Sequence, residues 1–265
     1  MTSDLLFSSF WQHHLIWVVV IISIVAFLAG VMDSIAGGGG LLLLPAWMFL
    51  GMPAQTALIQ NKWISSLGTL AALHNFLKNG HIWWKMACIG VPFSLLGAWL
   101  GAKVILWVDP KTALFWVLCL TPLALLISLI PKNKALSNAV LLTPWHWYAL
   151  LPLCALGVGF YDGFFGPATG SLLVLLLHYA LGLDLLKASA NAKCFNLASN
   201  LSALLLFIWK GKIIYSLVLV PSIANIAGNH VGSHIAMQKG AGVIANALRI
   251  SIGLLLVSVV LKYLV

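Results

Sequence analysis

Lys62 and Lys193 each stand inside an apolar run, in ALIQNKWISSLG and ASANAKCFNLASN. An ammonium in the middle of a membrane helix costs about 3 kcal/mol or more, so a charge there is a candidate functional group. Each lysine lies eight residues into its span, roughly 12 Å along a helix. Small polar residues accompany both: Gln60, Asn61, Ser65 and Ser66 beside the first, and Asn191, Asn196, Ser199 and Asn200 beside the second. Positions three or four apart share a helix face, so Lys62 with Ser65 and Ser66, and Lys193 with Asn196, form polar stripes.

Two further constellations resemble each other. Asp33 precedes the run Gly37-Gly38-Gly39-Gly40, and Asp162 precedes Gly166-Pro-Ala-Thr169-Gly170-Ser171. Glycine lets a backbone turn sharply and approach a ligand closely. The helix that restarts after such a break presents unpaired N–H groups and the positive end of its dipole, which suits an anion. Thr169 and Ser171 add hydroxyl donors. Two ammonium groups, two helix N-termini and a set of amides and hydroxyls match a small oxyanion, such as a sulfite or sulfonate group. The substrate-binding candidates are therefore Gly37, Gly38, Gly39, Gly40, Asn61, Lys62, Ser65, Gly166, Thr169, Gly170, Ser171, Lys193, Asn196 and Asn200. Asp33 and Asp162 either neutralise the lysines when no solute is bound or carry a proton coupled to transport. Composition does not separate these roles.

The elements that position these residues must be membrane helices. Of 265 residues, 62% are hydrophobic and 7% charged, and the mean hydropathy is +1.05. A soluble domain carries about 25% charged residues, so this chain cannot cover a globule with a wetted surface. Segments such as Leu15–Met32 and Ala113–Ile130 meet, or nearly meet, the roughly 20 residues needed to cross a bilayer. The expected fold class is an all-α polytopic membrane protein. The N-terminus lacks a basic stretch and a cleavage site, so the first span is expected to be retained. The net charge of +9 comes from fourteen basic residues against five aspartates, mostly in short loops where lysines act as topology signals and attract anionic lipid headgroups. No soluble basic arm exists to hold nucleic acid.

The chain also overlies itself. Asp33 matches Asp162 and Gly37 matches Gly166. Beyond two extra residues in the second loop the offset settles at 131, pairing Lys62 with Lys193, Gly80 with Gly211, and Gly97-x-x-x-Gly101 with Gly228-x-x-x-Gly232. Two homologous halves are expected, 15–130 and 148–265, joined by a linker at 131–147. Each half would hold about four transmembrane helices plus one short broken or re-entrant segment, Leu41–Leu50 in the first and Leu172–Leu181 in the second. Placing the basic loops Lys78/Lys85, Lys132/Lys134 and Lys210/Lys212 on one side favours parallel halves, with inverted halves as the alternative.

Plainer explanations exist for each feature. The lysines could snorkel, the aspartates could cap the restarting helices, and the glycines could serve helix packing alone. His230-x-x-x-His234 has the spacing of a metal pair, but the chain has no glutamate and no nearby aspartate, so neither metal nor cofactor is expected. The four cysteines lie in separate apolar segments and read as small hydrophobes. An intramembrane enzyme would need clustered acids, histidines or a paired nucleophile, which the sequence lacks.

At DSIAGGGGLL (33–42), Asn61-Lys62, GFYDGFFGPATGS (159–171) and AKCFNLASN (192–200), the chain resembles the TauE/SafE sulfite exporter family, the toluene-sulfonate uptake permease group. The resemblance covers essentially the whole chain. It implies a secondary transporter, an exporter of sulfur-containing anions such as sulfite or sulfonates, in the bacterial cytoplasmic (inner) membrane. An anion channel, or a transporter of another small anion, is the alternative.

Overall fold

The computed structural model describes residues 2–109, 111–112, 115–116, 143–240, 242–243 and 246, the first twelve of these by main chain alone. No strand occurs among them. The helices are α1 (Thr2–Ala36), α2 (Gly40–Phe49), α3 (Ala54–Lys78), α4 (Trp84–Trp107), a π turn (His146–Leu150) leading into α5 (Leu151–Phe164), α6 (Thr169–Tyr179), α7 (Leu185–Trp209) and α8 (Tyr215–Lys239). The long–short–long–long order of α1–α4 recurs in α5–α8. The expected last span of each half and most of the linker lie outside the described residues.

Large apolar side chains point outward along these helices, among them Ile16, Trp17, Leu28, Leu96, Leu153, Leu205 and Ile223. Such a surface is stable against lipid and not against water. The chain is an all-helical, multi-pass membrane protein. At its centre α7 is enclosed on all sides: every residue from Ala188 to Asn200 is buried. Buried polar side chains need partners, and α7 supplies several of them internally. Ser199 donates to the Asn196 carbonyl at 3.0 Å, and Asn200 donates to Asn196 Oδ1 at 3.0 Å.

Cross-helix hydrogen bonds fix the helix directions. Gln55, at the start of α3, donates to the carbonyls of Ile105 and Val108 at the end of α4, so α3 and α4 are antiparallel. Gln60 accepts from Ile214 N just before α8 at 2.9 Å, and Asn75 donates to Ser233 Oγ further along it, so α3 runs parallel to α8. The same contact occurs again 131 residues on: Asn191 Oδ1 accepts from Trp83 N just before α4, at 2.9 Å. Ser202 then donates to the Leu95 carbonyl, so α7 runs parallel to α4. Asn225 of α8 donates to the Ala26 carbonyl, and Gly232 lies against Val31 and Ser34, so α1 also runs with α8. Gly97 against Leu156 and Gly101 against Phe160 align α5 with α4.

α1 therefore runs opposite to α5, α3 opposite to α7, and α4 opposite to α8. This overturns the expectation of parallel halves. The short helix α2, although too short to cross a bilayer by length, carries the chain back, so α1 and α3 run in the same direction. Counting lysines missed that return. The Lys78–Lys85 and Lys210–Lys212 loops face opposite sides.

Candidate functional site

The two chain breaks meet. Gly37 has φ +77, and a Cβ built on it would fall 2.1 Å from the Gly170 main chain. No side chain fits there, which explains why glycine stands at both positions. Ser171 N donates to the Gly37 carbonyl at 3.2 Å, and Ser171 Oγ donates to the Ala36 carbonyl at 2.8 Å. Ser189 Oγ donates to the Ile35 carbonyl at 3.1 Å. The buried main-chain acceptors left unpaired at the end of α1 are thus satisfied by the facing half.

Around this junction each aspartate pairs with a lysine from the other break's side of the sequence. Lys62 Nζ lies 2.7 Å from Asp162 Oδ1 and donates to Asn200 Oδ1 at 3.0 Å. Lys193 Nζ lies 2.9 Å from Asp33 Oδ2, and it also donates to the Asp33 carbonyl. Thr69 Oγ1 reaches Asp33 Oδ2 at 3.4 Å. Side-chain exposures of 3% and 2% for the first pair put both of its charges out of water. At such burial each charge is tolerable only because the other is present.

A small cavity of about 10 Å³ opens beside the first pair, room for about one water molecule. Its walls are Asp33, Gly37, Gly40, Asn61, Lys62, Ser65, Asp162, Gly166, Gly170, Asn196 and Asn200. Gly166 has φ +92, and a Cβ there would sit 2.9 Å from Lys62 Nζ. Glycine at 166 therefore serves both the turn and the close approach of the ammonium.

Most of the residues singled out from sequence surround this cavity. Five lie off its walls. Gly39 packs against Ala29 and Asp33, and Gly38 sits within the turn, where Leu41 N donates to its carbonyl. The hydroxyl of Thr169 donates back to the Gly166 carbonyl at 2.6 Å, and that of Ser171 is bonded to Ala36. Lys193 lies behind Asp33. Thr69 was not singled out, although it continues the stripe of Lys62 and Ser66 one turn further. Asn191 holds the start of α4 and not the cavity. His230 and His234 meet edge to face, ring centroids 4.8 Å apart, with His230 beside Asn75. No cluster of three metal-ligating residues occurs among the described residues.

The chain is similar to several bacterial proteins. It is 35% identical over 224 residues to probable membrane transporter protein ORF9 of Sinorhizobium sp, covering 83% of this chain and 84% of that protein. It is 34% identical over 220 residues to probable membrane transporter protein YfcA of Escherichia coli K12, covering 82% and 80%. A probable membrane transporter protein of Haemophilus influenzae is 35% identical over 221 residues, covering 82% and 84%. No solved structure matches. The model of the sulfite exporter TauE/SafE family matches residues 22–263, so this chain, a membrane transporter and not an enzyme, belongs to that family.

Proposed function

We propose that the protein is a secondary carrier of small sulfur-containing anions, such as sulfite or sulfonates, in the bacterial cytoplasmic membrane, and that it works in the direction of export. In this scheme the anion replaces the Asp162 carboxylate on Lys62, between the two chain breaks. Asn61, Ser65, Asn196 and Asn200 supply its further donors. The carrying observation is the buried Lys62–Asp162 pair on the wall of a cavity enclosed by both breaks. A carboxylate and a sulfonate offer the same bidentate oxygen acceptors, so one can stand in for the other on an ammonium. With room for only about one water, the site favours a carrier that must rearrange over an open channel.

We further propose that the chain consists of two inverted repeats, 15–130 and 148–265, joined by a linker at 131–147. Support comes from the opposed directions of matched helices and from the reciprocal contacts of Gln60 with Ile214 and Asn191 with Trp83. Inverted repeats with broken helices at their interface suit alternating access around a central site. Anionic lipid headgroups around the lysine loops are the expected lipid partners.

A panel of sulfite, sulfoacetate, methanesulfonate, benzenesulfonate, sulfate and chloride tests this by thermal stabilisation of the purified protein. A ligand that binds the folded state raises its apparent stability, by about 2.7 kcal/mol at one hundred times Kd. One or more of the sulfur oxyanions should raise the melting temperature of the wild type and not of Lys62→Gln. Equal stabilisation of both proteins would refute the site.

A further inference from the structure

The two ion pairs are chemically alike but differently built. Asp33 Oδ2 accepts from both Lys193 and Thr69, and the Asp33 carbonyl accepts from Lys193 as well. Asp162 has its Oδ1 on Lys62, and its Oδ2 is buried with no hydrogen-bond partner. Asp162 is itself only 1% exposed. The cavity wall includes Lys62, Asp162 and Asp33 but not Lys193. An anion in the cavity can therefore meet the Lys62 ammonium directly, whereas Asp33 stands between it and Lys193. We propose that Asp162, and not Asp33, takes up one proton when an anion arrives at Lys62, while the Lys193–Asp33 pair stays closed.

This rests on the anion site at Lys62, and charge balance drives it. In the closed state Lys62 and Asp162 cancel. A monovalent anion added to that pair leaves one net negative charge in a dry site, at a cost of several kcal/mol. A proton from bulk water, taken on the bare Oδ2, turns the carboxylate into a carboxylic acid. Lys62 is then neutralised by the anion alone, and no covalent bond other than O–H forms.

The charged and titratable groups near Asp162 leave few rivals for that proton. α3 contributes Lys62 and α1 contributes Asp33. α7 faces the cavity with the uncharged Asn196 and Asn200, holding Lys193 behind Asp33. Tyr161, beside Asp162 on α5, donates its hydroxyl to the Pro167 carbonyl at 2.8 Å. The basic groups of α4, Lys85 and Lys103, are exposed and lie over Trp147 and Trp99.

Calorimetric titration of the purified full-length protein, in buffers of different ionisation enthalpy, counts protons taken up per anion bound. Methanesulfonate and benzenesulfonate are suitable probes because they stay ionised throughout. Wild type should take up about one proton per anion, and its affinity should fall about tenfold per pH unit wherever that stoichiometry holds. Asp162→Asn should take up none and lose that pH dependence. The double variant Lys193→Gln/Asp33→Asn removes the second pair without changing the net charge of the site, and should keep about one proton per anion. Uptake that survives in Asp162→Asn, is lost in Lys193→Gln/Asp33→Asn, or is missing in the wild type overturns the assignment. If Asp162→Asn does not fold, infrared difference spectra of wild type and Lys193→Gln/Asp33→Asn decide. A protonated-carboxyl band that appears in both on anion addition supports Asp162, and its loss in Lys193→Gln/Asp33→Asn overturns it. If the wild type binds neither sulfonate nor sulfite, the anion site itself falls, and the proton assignment with it.

Discussion

Replacing Lys62 by glutamine removes one member of the buried pair and leaves Asp162, 1% exposed, without its counter-charge. The carboxylate then stays ionised in a dry site or takes up a proton. Removing one partner of a buried pair costs about 3–5 kcal/mol. Proton uptake sets an upper bound. A carboxyl that ionises near 3.9 in water costs about 4 kcal/mol to protonate at pH 7, at 1.36 kcal/mol per pH unit. The same step costs about 1.5 kcal/mol at pH 5. Lys62→Gln should therefore lose about 4 kcal/mol at pH 7 and much less at pH 5. The deficit grows as pH rises above the unfolded-state value because the folded variant holds a proton that the unfolded chain releases. The double variant Lys62→Gln/Asp162→Asn leaves no buried charge and should recover most of the loss. Reversible unfolding in mixed micelles at both pH values measures this. A double variant as unstable as the sum of the two single ones would refute the coupling, since independent sites add. So would a Lys62→Gln deficit that ignores pH.

Two other outcomes follow from the geometry. Gly37→Ala should fail to fold or lose several kcal/mol, because its Cβ would collide with the Gly170 backbone. Gly51→Ala, with a similar positive φ but open space around it, should lose only the roughly 1–2 kcal/mol of left-handed strain; comparable losses for the two, measured by thermal melting, would contradict the packed junction. In a cysteine-free background, Asn79→Cys and Gly211→Cys should react with an impermeant maleimide from opposite faces of oriented vesicles. Labelling of both from one face would contradict the opposed directions of α3 and α7.

Much of the candidate site was legible in the sequence because lipid makes its features costly. Lys62, Asp162 and the glycine breaks stand out against apolar surroundings, and their recurrence at one offset separates them from accident. Pairing was less legible. Nothing in the spacing says that Asp33 meets Lys193 or that Asp162 meets Lys62, since each contact crosses between distant segments. Thr169 and Ser171 read as ligand donors by position, but the carbonyls at the break ends lie closer and take their hydroxyls. Topology was the weakest inference. Length alone made α2 look like an interruption, whereas its direction decides which way α3 runs.

Counterflow in liposomes tests the central claim most directly. Vesicles loaded with unlabelled sulfite or a sulfonate should accumulate the labelled anion transiently and saturably with the wild-type protein, and not with Lys62→Gln. Lys62→Gln exchanging at the wild-type rate would contradict an anion site at Lys62.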